Sequence, residues 1–200
     1  MTSGHVFVVA SGFGMQVIPK APPFQFSVDA EGSLVLTVEG SKPSIVRSDQ
    51  SIWAAQAAAL DVADIAVGPT WPTWWLQTSP YRVPLPQGWT AYASGGVAPS
   101  AFDLVGPQDS LIFVQTPRHV PPLDQLVALG QQLVDQGSMA AGDWVTVEYI
   151  HDGCSYLQRH IRVSVGKTVA IVTLQCHSEV FAVVESTQRL LAEAILPGGA

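Results

Sequence analysis

The chain has 200 residues, 48% hydrophobic and only 12% charged, with a formal net charge of −7. That composition supports one large domain or two small ones around a well-buried core and excludes a disordered chain. Its nine basic residues are scattered from Lys20 to Arg189, and without clustered Lys and Arg to release counterions neither nucleic-acid binding nor docking on anionic membranes is expected.

From the N-terminus, the apolar stretch His5–Ala10 is short and followed by glycines, with no basic segment before it, so it does not read as a signal peptide. Short apolar runs predict strands over His5–Ala10, Met15–Ile18, Phe24–Val28 and Ser33–Val38, with Asp29-Ala30-Glu31-Gly32 turning between the last two. A helix is expected from Gln50 to Ala66, capped by Ser48, Asp49 or Ser51. Gly68-Pro69-Thr70-Trp71-Pro72 is the densest break in the chain. It sets the expected division: a β-rich segment 1–68, a Trp/Pro-rich connector 69–80 and an α+β domain 81–197.

In the second part, strands are predicted over Tyr81–Pro84, Ala101–Val105 and Ser110–Gln115. Leu123, Leu126, Val127, Gly130, Leu133 and Val134 recur at the helical period, predicting a helix from Pro122 to Gln136 that stops at Gly137. Three long strands follow, Trp144–His151, Ser155–Val165 and Thr168–His177, and a closing helix runs from Ser178 to Leu196. The order predicts an α+β fold: an antiparallel sheet of about six strands flanked by helices, with an N-terminal β-rich segment carrying one helix. No stretch reaches the roughly 18 apolar residues needed to span a bilayer.

Hydrophobic alternation also predicts register. Gly166-Lys167 is a two-residue turn that pairs Val165 with Thr168. Leu157, Ile161, Val163 and Val165 then share an apolar face with Ala170, Val172, Leu174 and Cys176. A two-residue turn at Asp152-Gly153 would leave Val145, Val147 and Tyr149 on the opposite, wet face. A three-residue loop, Asp152-Gly153-Cys154, is therefore expected, because one added residue flips every side chain. This places Cys154 in an exposed turn and Cys176 in the core, too far apart for a disulfide. Two such thiols make no secreted framework, and a cytoplasmic location is expected.

The stretch Tyr81-Arg82-Val83-Pro84-Leu85-Pro86-Gln87-Gly88-Trp89 resembles the opening strand and P-x-G-W turn of the PsbP-like and DcrB-like group. Ala101-Phe102-Asp103-Leu104-Val105-Gly106-Pro107, the mid helix, the meander and the closing helix follow in a similar order, so the resemblance spans about residues 81–196. It implies a small antiparallel sheet flanked by helices, mostly without enzymatic activity, in a group whose members are assembly factors, lipoproteins or chaperone-like adaptors for secreted toxins; without the lipoproteins' lipid-attachment Cys, the expected role is a chaperone, adaptor or assembly factor in a bacterial secretion or assembly system.

Two sets of residues are candidates for contact with another protein, or with a second copy of the chain. On the expected outer face of the sheet, Glu148, Gln158 and Gln175 form one row, and Thr146, His160 and Thr173 the next. Trp144, Arg162 and Ile171 form a third, with a cation–π contact between Trp144 and Arg162, while Tyr156 faces His177. The second set is Trp71, Trp74 and Trp75, which anchor a partner if exposed or plug a gap if folded inward. His160 and His177 lack the third ligand that a metal site needs, and no cofactor is expected. Cys154 lies three residues after His151, but a hairpin turn holds catalytic geometry poorly, so no catalytic residue is assigned. The alternatives are a carrier of a small apolar ligand held between sheet and helices, and a hydrolase using Cys154 or His160.

Overall fold

The computed structural model describes residues 7–10, 15–19, 24–38, 42–46, 62–67, 74–93 and 100–198. Two compact units divide it: residues 1–102 with 198–200, and residues 103–197. The division falls after Phe102, beyond the connector expected at 69–80, so Tyr81–Pro84 belongs to the first unit. Among the described residues the protein is mostly antiparallel sheet with one α-helix.

The first unit holds β1 (Phe7–Ala10), β2 (Met15–Pro19), β3 (Phe24–Val28), β4 (Leu34–Val38), β5 (Ser44–Val46), β6 (Val62–Val67), β7 (Trp75–Gln77), β8 (Tyr81–Pro84) and β9 (Thr90–Ala93). They run in the orders β8-β7-β1-β2-β6 and β9-β3-β4-β5. The β3–β4 hairpin turns where expected. Asp29 Oδ1 accepts from Ser33 N at 2.7 Å, and Gly32 takes the left-handed φ of 82° that the turn requires. Val62–Val67 is strand, not the end of a helix; it pairs with β2, Met15 opposite Val67. Tertiary pairing there outweighs the helix propensity of its alanines. The rest of that expected helix, 50–61, lies outside the described residues.

The second unit contains β10 (Asp103–Val105), β11 (Leu111–Gln115), β12 (Gln132–Met139), β13 (Gly142–His151), β14 (Cys154–Val165), β15 (Thr168–His177) and the helix α1 (Phe181–Ala194). Its six strands run β12-β13-β14-β15-β11-β10, every neighbouring pair antiparallel. α1 covers one face, burying Val184, Gln188, Leu191 and Ala192 against the sheet. The Gly166-Lys167 turn holds the expected register, Val165 opposite Thr168 and Ile161 opposite Val172.

The mid helix expected from Pro122 to Gln136 does not form. Only Leu123–Leu126 makes a short 3-10 turn, and Gln132–Met139 becomes strand β12. Gly130, at φ 87°, breaks the path between them, and β13 offers the strand an open ladder. Gly137 is not a helix stop but a mid-strand residue. A Cβ there would lie 2.8 Å from the Trp144 ring.

The Asp152-Gly153 loop is also shorter than expected. His151 pairs Cys154, leaving a two-residue turn with Asp152 at φ 48° and Gly153 at φ 78°, the left-handed pair of a tight hairpin. Trp144, Thr146 and Glu148 therefore share the α1 face with Ile161, Arg159 and Leu157, whereas Val145, Val147 and Tyr149 lie on the opposite face with His160, Gln158 and Tyr156. Val145 and Val147 are nevertheless buried, as is Thr146. Both faces of β13 are dry, and the 3-10 turn packs against this strand. Gln131 Nε2 donates to Gln158 Oε1 at 2.9 Å.

Candidate functional site

The face of the second unit away from α1 carries the candidate site. Strand pairing arranges it in rows. Tyr149, Tyr156 and His177 form one; Val147, Gln158 and Gln175 the next; Val145, His160 and Thr173 a third; Asp143, Arg162 and Ile171 a fourth. Thus Glu148, Thr146 and Trp144, expected in these rows, are corrected to the other face. The one-residue difference in the turn moves them all together.

The first row is aromatic throughout. The Tyr149 and Tyr156 rings stack at 5.5 Å with 15° between their planes, and His177 lies 4.3 Å from Tyr156. The Tyr156 hydroxyl and His177 Nε2 are 3.2 Å apart, within hydrogen-bond reach. His151 meets Tyr156 edge-on at 6.3 Å. All three row members are half-buried. Burial pushes the Tyr149 phenol above its ordinary pKa, with the neighbouring Tyr156 adding to the shift. Tyr149 entered the expectation as a core residue; the true register puts it in this row.

The remaining residues are held more tightly. His160 is 8% exposed and sits with Nδ1 2.9 Å from Thr173 Oγ1, while its Nε2 has no protein partner among the described residues. Burial drives its pKa down to about 4, so it is neutral at physiological pH. Arg162 Nη2 donates to Asp143 Oδ2 at 2.9 Å, and Ser138 Oγ donates to Asp143 Oδ1 at 2.9 Å. The Ser138 and Arg162 hydrogen bonds hold the Asp143 carboxyl below its ordinary range.

The expected Trp144–Arg162 stacking is replaced by a different one. Arg159 lies over the Trp144 ring at 4.6 Å and over Phe181 of α1 at 4.5 Å. It also donates to Thr146 Oγ1 and Glu185 Oε2, each at 2.8 Å. Trp144 is thus part of the packing beneath α1, where it flanks an arginine that pins the helix to the sheet.

In the first unit, Trp74 and Trp75 are 4% and 8% exposed, and Trp74 Nε1 donates to the Gly32 carbonyl at 2.8 Å. They fill the core, correcting their assignment as accessible anchors. Trp71 lies outside the described residues. Trp89 of the P-x-G-W turn is buried as well, following Gly88 at φ 78°.

The histidines do not converge. His160 and His177 lie in different rows, four residues along neighbouring strands, roughly 13 Å at the strand rise. Among the described residues no group of three His, Cys, Asp or Glu could hold a metal ion. Cys154 is exposed beside the turn, while Cys176 is buried on the α1 face with its thiol pushed up to about 11. Cys176 lies on the opposite face from His160, and Cys154 lies six residues from it along β14, roughly 20 Å at the strand rise.

Two solved structures are distantly similar to part of this chain. LpqN, involved in cell envelope biogenesis of Mycobacterium tuberculosis, superposes with a TM-score of 0.39 at 12% identity, over 60% of this chain and 83% of that one. The cyanobacterial PsbP (CyanoP) from Synechocystis sp. PCC 6803 gives a TM-score of 0.37 at 11% identity, over 58% and 86%. The likeness to a PsbP-type fold is weak. No protein-family model and no curated protein sequence matches the chain. Among the described residues no helix is long and apolar enough to cross a membrane.

Proposed function

We propose that this chain is a non-catalytic binding protein, an adaptor or assembly factor working in the cytoplasm, and that Tyr149, Tyr156 and His177 form its contact surface for another protein. One observation carries the proposal: three rings, Tyr149 stacked on Tyr156 and His177 tilted against it, run in contact across three adjacent strands yet stay half-buried. Aromatic side chains of this kind supply rigid area at little entropic cost and are enriched in binding hot spots. The two unpaired thiols support a reducing compartment.

The carrier alternative would need space between sheet and helix, but Val184, Gln188, Leu191 and Ala192 fill it. Hydrolysis gains no support from Cys154 or His160, which the register separates.

The test is a Tyr149→Ser/Tyr156→Ser variant used as bait in the native host. The proposal predicts a cooperative melt close to wild type with loss of the captured partner. Loss of cooperative unfolding would place both rings in the core, and unchanged capture would move the contact surface elsewhere.

A further inference from the structure

β12 is the outermost strand of the second unit's sheet. It pairs with β13 on one side, and among the described residues no backbone group bonds its other edge. Such an edge is a row of N–H and C=O groups that another strand satisfies most completely. The usual protections are sparse. Gln132–Met139 contains no proline and no lysine, and Asp135 is its only charge. A bulge between Leu133 and Asp135 interrupts the ladder and leaves Asp135–Met139 regular.

We propose that the chain self-associates by antiparallel pairing of β12 with β12 of a second copy, about a twofold axis at Gly137. That register is self-complementary. Asp135 meets Met139 of the second copy, and Gln136 meets Ser138, so no like charges oppose each other and two polar pairs face across the seam. Gly137 sits at the axis, where the Trp144 ring lies over it within 2.8 Å of an ideal Cβ. Pairing there brings the two indoles together on the α1 face and joins the sheets of the two copies edge to edge. Five paired residues a side and one indole pair bury well under the roughly 1,200–2,000 Å² of a standard interface. The dimer is therefore weak and dissociates on dilution. This contact is independent of the aromatic row.

Sedimentation velocity over a wide concentration range tests the pairing, with thermal melts confirming each fold. Wild type should shift from monomer to dimer as concentration rises. Gln136→Lys/Ser138→Lys opposes like charges twice and should abolish the dimer. Gln136→Glu/Ser138→Lys opposes unlike charges twice and should tighten it several-fold. A wild type that stays monomeric throughout, or a dimer indifferent to both variants, overturns the proposal. A monomer that carries a co-purified peptide protecting the β12 amides also overturns it, assigning the edge to a foreign strand.

Discussion

Replacing Arg159 should loosen α1 from the sheet. Its guanidinium lies between the Trp144 and Phe181 rings and bonds both Thr146 and Glu185, with its side chain 13% exposed and that of Glu185 35%. In Arg159→Ala the Thr146 hydroxyl, 2% exposed, loses its partner at a cost of about 1–3 kcal/mol. The two ring contacts contribute about 1–2 kcal/mol more. The Glu185 pair adds about 1 kcal/mol, discounted because that carboxylate keeps a third of its solvent contact. The total destabilisation should be about 3–6 kcal/mol. Arg159→Met refills the volume without restoring the hydrogen bonds and should cost about 2 kcal/mol. Because the chain has two units, a single unfolding midpoint can mix transitions, so amide exchange within α1 is the better readout. The α1 amides should lose protection in Arg159→Ala, and a double-mutant cycle with Glu185→Gln should show positive coupling. Protection within about 1 kcal/mol of wild type would refute the idea that this arginine docks the helix.

Three further outcomes follow from other parts of the fold. His160 titrates near 6.5 when unfolded and about 4 when folded. Between those values the unfolded chain binds more protons, so stability should fall by about 3 kcal/mol as pH drops from 6.5 to 4. Urea titrations should show a flatter slope in His160→Gln, and an unchanged slope would mean that the imidazole is solvated. Gly142→Ala should be more damaging than Gly137→Ala. At 142 the new Cβ clashes with the Arg162 carbonyl oxygen, whereas at 137 it meets only a side-chain ring at 2.8 Å. Thermal melts should place the first at least about 3 kcal/mol below wild type and the second at about 1–2 kcal/mol, and a reversed order would contradict the packing described. Gln188→Leu removes the donor shared by the Arg159 and Val172 carbonyls and should cost about 1–2 kcal/mol by denaturant titration; no change would show that the ladder alone satisfies them.

The sequence was most legible where a single signal acted. Gly166-Lys167 announced its turn, and the apolar partners Ile161, Val172 and Val163 opposite Ala170 followed from it. The Asp152-Gly153 turn was misread because two signals conflicted. Alternation in 144–151 implies one dry face, but β13 is dry on both sides, and Val145, Thr146 and Val147 are all buried. The dipeptide's own preference for a tight turn was the better guide. The mid helix does not form for a related reason: Leu123–Leu126 is a short 3-10 turn against β13, and helical spacing of apolar residues cannot tell that from an amphipathic helix. On the expected outer face Val145, Val147, His160 and Thr173 are buried, whereas the end row of Tyr149, Tyr156 and His177 stays half-buried. Arg159 left one usable trace: it stands between Leu157 and Ile161 at core parity, where a charge requires a buried partner.

The central claim is that the Tyr149–Tyr156–His177 row touches another protein. A photo-crosslinking amino acid placed at position 156, with one at the exposed Lys167 turn as control, tests it most directly in the native host. A single discrete adduct from position 156 and none from position 167 is the predicted result. No adduct at 156, or the same adduct from both positions, would contradict it.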